Sequence, residues 1–314
     1  MAEVYAIPMP VRFRGLSVRH GMIFQGAAGW AEWSPFPEYA TAEAAVWLAA
    51  AREAADEGFP APVRTAIPVN TTVPATDPAT AHRLVEASGC ATAKVKLGEP
   101  SQSLAEDIAR VEAVRDALGP GGKLRVDANG AWTVDAAVHA LGELARFGLE
   151  YAEQPCTTVA ELAEVRRRVA VPIAADESIR RAADPLAVKR QAAADIVILK
   201  VQPLGGVRAC LRLAGELGLP VVVSSAVETS IGLRAGIALA AALPELPYAC
   251  GLGTATLLAD DVVTDPLRPV AGAIAVRDVT ADPARLARVA ADSPTRTWWE
   301  ARWRECTALE RHHG

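Results

Sequence analysis

Residues 124–155 read LRVDANGAWTVDAAVHALGELARFGLEYAEQP, and they contain one whole unit of the chain's architecture. Leu124–Ala128 and Leu149–Glu153 are short runs with the two-residue alternation of a strand. Between them Val134, Ala137, Val138, Leu141 and Ala145 recur at helical spacing, the mark of a helix with one buried face. Strand, helix and strand joined by short polar turns make a parallel crossover.

The same alternation runs outward in both directions. Strand-like runs occupy 65–73, 93–97, 124–128, 149–153, 172–176, 196–201, 220–225 and 248–252. Helical stretches include 103–118, 133–147, 159–169, 185–191, 206–217 and 230–243. Eight units of roughly 25 residues predict an α/β fold of the (β/α)8, TIM-like barrel type over residues 65–254; an open doubly wound sheet is the alternative. The flanks, 1–64 and 255–314, fall outside it. They either pack together as a second domain over one end of the barrel or decorate it separately.

Composition narrows the function classes. The chain is 51% hydrophobic and 22% charged, which suits a globular protein. Lys plus Arg is 32 against 37 Asp plus Glu, so the chain lacks the basic excess that general nucleic-acid binding needs. A local basic pocket for an anionic substrate stays open. The longest apolar stretches, 44–51 and 236–243, fall short of the ~20 residues of a membrane span. Residues 1–10 lack a signal-peptide pattern. The five cysteines are odd in number and without CxxC spacing, so reduced, buried thiols in a cytoplasmic protein are expected. The scattered histidines offer no zinc pattern.

In such barrels chemistry sits where strands end. Lys94 and Lys96 share one face of their strand, although a lone Lys-x-Lys is more often a solvated edge. Asp127, Glu153 and Asp176 fall at equivalent points of three consecutive strands, and on a barrel they converge at one mouth. Each alone is an ordinary turn or helix-cap residue. Together they would repel without a cation, and oxygen-only ligands point to Mg2+. Lys200 ends the next strand and flanks them from the other side. A lysine beside a cation and another lysine is expected to have a lowered pKa and to serve as a general base. The set suits abstraction of a proton α to a carboxylate, with a metal holding the resulting enediolate.

The ordered motifs Lys94-x-Lys96, Asp127-x-Asn129, Glu153-Gln154-Pro155, Asp176-Glu177-Ser178 and Lys200-x5-Gly206 resemble the enolase superfamily, muconate-lactonising subgroup. Members of that superfamily pair a Lys base with Mg2+. The resemblance implies an α+β capping domain built from both termini, 1–64 plus 255–314, closing over the barrel. It implies Asp127, Glu153 and Asp176 as ligands of Mg2+, with Mn2+ as a substitute. The short lead-in before Lys94, with Arg125–Trp132, Ser224–Leu233 and Cys250–Thr254, resembles the subgroup members of menaquinone biosynthesis. These dehydrate a hydroxylated cyclohexadiene carboxylate bearing a succinyl side chain to an aromatic acid.

On that likeness Lys96 removes the α-proton and returns it to the departing hydroxyl, a syn elimination. Lys200 stabilises the enediolate, and Lys94 supports the charge state of Lys96. Asn129, Ser224, Ser225, Gly251, Gly253 and Thr254 are candidate substrate contacts, although Ser and Gly there also suit turns. Residues 14–24 form either a lid or an ordinary turn between strands. A two-base racemase of N-succinyl amino acids (Lys96 and Lys200), a muconate-type cycloisomerase and a metal-binding barrel without turnover are the rivals. The expected partner is a small carboxylate, with neither nucleic acid nor membrane; the sequence leaves the oligomeric state open, and a monomer is plausible.

Overall fold

The structure, a computed structural model, describes residues 2–13 and 15–313. The chain begins with three antiparallel strands, β1 (Glu3–Phe13), β2 (Leu16–Gln25) and β3 (Trp30–Trp33), followed by helix α1 (Thr41–Arg52). Most of the stretch considered as a lid is therefore strand β2, paired to β1 and β3. Arg14, at its start, lies outside the described residues.

Past a short strand β4 (Ala66–Pro68), seven parallel strands follow: β5 (Thr71–Val73), β6 (Thr92–Lys96), β7 (Lys123–Asp127), β8 (Leu149–Glu153), β9 (Ile173–Ala175), β10 (Ile196–Leu199) and β11 (Val221–Val223). They lie side by side in chain order. The crossovers carry α2 (Pro78–Ser88), α3 (Leu104–Leu118), α4 (Val134–Leu144), α5 (Val159–Arg168), the short α6 (Glu177–Arg180) and α7 (Ala187–Arg190), and α8 (Val207–Leu217). Helix α9 (Ser230–Ala242) leads to Cys250–Gly251, where Cys250 pairs with Val69 and Gly251 with Ser224. The two edges of the sheet are joined through that segment, as a barrel requires.

Local chemistry sets the helix starts. Ser103 with Glu106, and Thr158 with Glu161, form reciprocal capping boxes on α3 and α5. Asp77 caps α2, and Pro78 occupies its first turn.

Two expectations need correction. The run 65–73 is not one strand: β4 pairs antiparallel with β12 (Ala273–Ala275), and only β5 joins the large sheet. Pro68 cannot donate to a ladder, which argues against a central strand running through it. The eighth unit is also incomplete, because the closing segment leads into a 3-10 turn at Gly253–Leu257 rather than a helix.

Inside the sheet, Tyr151, Ala174, Ile196, Ile198 and Val222 form a small apolar layer with Tyr248. Arg125 is fully buried here, its guanidinium 4.7 Å from the Tyr151 ring centre. It donates to Glu150 Oε2 at 2.6 Å and to the Ala249 carbonyl at 2.7 Å, tying β7 to the closing segment. Beyond β12 lie α10 (Pro283–Arg288) and α11 (Ser293–His313). A second cluster joins Val4, Trp33, Phe36, Trp47 and Leu48 of the N-terminal part to Trp299 and Cys306 of α11. All five cysteines are buried and unbridged, as expected. Among the described residues no helix is long and apolar enough to cross a membrane.

Candidate active site

The register brings the predicted residues together. Asp127 on β7 is the direct pairing partner of Lys96 on β6 and of Glu153 on β8. Asp176 follows β9, and Lys200 follows β10. All three carboxylates are buried.

Lys94 Nζ stands between two of them, 2.7 Å from Glu153 Oε2 and 3.1 Å from Asp127 Oδ2. Lys96 Nζ donates to Asp127 Oδ2 at 2.5 Å and to Asn129 Oδ1 at 2.7 Å. Asn129 is held in turn by its own N–H on Asp127 Oδ1 and its amide on Glu177 Oε1. Across the mouth Lys200 pairs with Asp176, whose other oxygen takes Arg180 Nε at 3.1 Å. Among the described residues no three His, Cys, Asp or Glu side chains form a metal cage by themselves. The Lys94 side chain stands between Asp127 and Glu153.

Electrostatics separates groups of the same type. Burial opposes charge on Asp127, yet Lys96 and Lys94 outweigh it and hold the carboxyl well below the usual range. Burial, with Asp127's charge adding, pushes Glu153 up to about 7. Glu153 Oε1 is buried without a hydrogen-bond partner. Burial lowers Lys200, with Asp176 opposing. On Lys94 burial is outweighed by Glu153 and Asp127, which raise it.

The cavity at this mouth is lined by Lys94, Lys96, Asn129, Lys200, Ser224, Ser225, Gly251 and Thr254 from the predicted set. Gly251 packs closely on Ser224: a Cβ there would lie 2.5 Å from Ser224 Oγ and would displace that hydroxyl from the cavity wall. Gly253 is not among the lining residues. It opens instead on a neighbouring cleft beside Pro10, Val11 and Leu257.

Thr72, Phe36, Ala226 and Val227 also line the cavity, and sequence reasoning does not find them. Thr72 is hidden when 65–73 is taken as one strand, and Phe36 carries no local signal. Gln154 has a structural role: its Oε1 accepts from the N–H of Asp176 and of Ser178, strapping β8 to the next loop.

Within the loop 224–229 lies Glu228, 4% exposed and pushed up to about 7 by burial, with Glu32 adding. Its folded pKa exceeds its unfolded one, so the folded state retains a proton that the unfolded chain releases. Stability from this group is complete below about pH 4.5 and is lost as pH rises through 7. Glu228→Gln should therefore stabilise the protein by up to about 3 kcal/mol at pH 8 and change little at pH 4. Urea unfolding at the two pH values checks this, and an equal effect at both would refute it.

Comparison with known proteins agrees with this geometry. The family described as "Enolase C-terminal domain-like" matches residues 77–281, and "Enolase N-terminal domain-like" matches 4–55. The chain is 65% identical to the o-succinylbenzoate synthase of Thermobifida fusca over 300 residues, 96% of this chain and 94% of that protein. It is 53% identical to the o-succinylbenzoate synthase of Mycolicibacterium smegmatis, covering 98% of this chain and 95% of the other. The muconate lactonizing enzyme of Pseudomonas putida shares the fold at a TM-score of 0.79 and 21% identity, covering 93% and 98% of the two chains. The chain is an enzyme of the enolase superfamily, and it belongs there with the o-succinylbenzoate synthases.

Proposed function

We propose that this enzyme is an o-succinylbenzoate synthase, dehydrating 2-succinyl-6-hydroxy-2,4-cyclohexadiene-1-carboxylate (SHCHC) to 2-succinylbenzoate in menaquinone biosynthesis. The observation that carries the reading is the pair Lys96 and Lys200, facing each other across buried carboxylates in a chain 65% identical to a synthase. Residues 1–64 with 255–314 act as the cap over the barrel of 65–254. The shared cluster of Trp33, Trp47 and Trp299 supports that division, as does Phe36 in the cavity wall. The enzyme works in the cytoplasm, where its five unbridged cysteines stay reduced.

Asp127, Glu153 and Asp176 would hold Mg2+, or Mn2+ in its place. The donor set is oxygen only, and the unbonded, buried Glu153 Oε1 is an acceptor that a cation would satisfy. When bound, the ion supplies positive charge for the substrate carboxylate. Lys96, oriented by Asn129, takes the α-proton and forms an ammonium. That ammonium returns the proton to the hydroxyl leaving from the same face: the C–H and C–O bonds break, the ring double bond forms and water departs. Lys200 places positive charge beside the electron-rich intermediate. Lys94, locked between Asp127 and Glu153, holds charge rather than moving a proton. The hydroxyls of Ser224 and Ser225 and the backbone near Gly251 receive the succinyl end.

Incubation with SHCHC and Mg2+ should give the ultraviolet spectrum of an aromatic product, abolished by EDTA and restored by added Mg2+. Absence of product, together with rapid α-deuterium exchange of N-succinyl amino acids in D2O, would replace the synthase reading with a racemase.

A further inference from the structure

Val227 lies in the cavity wall at φ 62°. A β-branched residue is an outlier in that region, where asparagine and glycine are tolerated, and such strain persists only when surrounding groups hold it. The loop holds its own N–H groups, Ala226 on Glu228 Oε2 at 2.7 Å and Val227 on Ser225 Oγ at 3.4 Å, while the carbonyls are held from the N-terminal sheet. Arg19 of β2 is 1% exposed, and its Nε donates to the Val227 carbonyl at 2.9 Å. One terminal nitrogen of the same guanidinium donates to the Ala226 carbonyl at 3.3 Å and to the Ser34 carbonyl. The other reaches the carbonyl of His20 at 3.0 Å, and the ring of Phe36 packs 4.7 Å from the guanidinium carbon. The far end of the loop is held too. Glu32 of β3 accepts from the N–H groups of Thr229 and Gly232, while its second oxygen takes the hydroxyls of Tyr5 and Ser34.

We propose that Arg19 is a positioning residue: it clamps the carbonyls of Ala226 and Val227 and keeps the strained 224–227 wall in the shape that receives substrate. It touches no reacting atom and acts through the loop. The kinetic consequence rests on the function proposed above, whereas the clamp itself does not.

The test is a double-mutant comparison with two independent readouts. In Arg19→Met, amide hydrogen exchange of the peptide spanning 221–233 should speed up at least tenfold. The kcat/KM for SHCHC should fall at least tenfold, chiefly through KM. Val227→Gly shifts KM in its own right, since it removes a wall side chain. In that background Arg19→Met should cost less than threefold, because glycine holds a positive φ without a clamp. Arg19→Lys, which keeps the charge but lacks the fork, should show intermediate losses. It carries the same comparison if Arg19→Met does not fold. Unchanged exchange, or equal kinetic losses with Val or Gly at 227, overturns the proposal. Faster exchange in a protein that leaves SHCHC unchanged would uphold the clamp and remove the synthase reading instead.

Discussion

Lys96→Ala should reduce kcat for SHCHC dehydration by at least about 10³-fold while the protein stays folded and still binds Mg2+. In the proposed mechanism Lys96 acts twice, as base toward the α-proton and as acid toward the leaving hydroxyl. No neighbour can take over both steps. Lys94 is held between Asp127 and Glu153, and Lys200 pairs with Asp176 across the mouth. Folding should survive, because Asp127 retains Lys94 and the Lys96 side chain is one of the less buried members of the cluster. Circular dichroism, titration with Mg2+ and single-turnover kinetics separate these effects. A variant retaining a tenth of wild-type kcat would place the base elsewhere, and loss of the metal would contradict the role given to Lys96.

Lys200 should divide the two chemistries that the cluster permits. Lys200→Ala is expected to lower kcat by about 10²- to 10³-fold, the scale of losing one preorganised charge at a developing anion. Lys200→Arg keeps a cation beside Asp176 and should recover measurable dehydration. Arginine cannot serve as a base, so a racemase depending on both lysines would lose exchange from one face completely. Deuterium exchange into each enantiomer of an N-succinyl amino acid, run beside the SHCHC assay, reads both outcomes. Full loss of dehydration in Lys200→Arg would give Lys200 a proton-transfer role.

Much of this was legible along the chain because barrel chemistry is periodic. The even spacing of Asp127, Glu153 and Asp176 follows from strand and crossover lengths, and the structure pairs Asp127 directly with Glu153. Helix limits were legible where caps announce them, as at Ser103 and Thr158. What stayed hidden depends on contacts remote in sequence. Arg19 meets Val227 across 208 residues, and neither residue's neighbours advertise the pairing. The direction of the Lys94 shift was equally hidden, since two carboxylates on other strands decide it. The break at Pro68 was within reach, because a proline inside a run of β-branched residues is itself the warning.

The cluster around Trp33 has a bearing on how the chain is made. Its strands precede the barrel in the chain, yet Trp299, its ring centre 5.3 Å from that of Trp33, belongs to α11, which follows the barrel. Arg302 of that helix also supplies the donors for the carbonyls of Phe36, Pro37 and Tyr39. The barrel strands neighbour one another in chain order and can assemble as they emerge. The N-terminal sheet cannot complete its core until the barrel segments and α11 have been translated. While the barrel is being made, its large aromatic side chains lack the α11 partners, and that part of the nascent protein is exposed to aggregation.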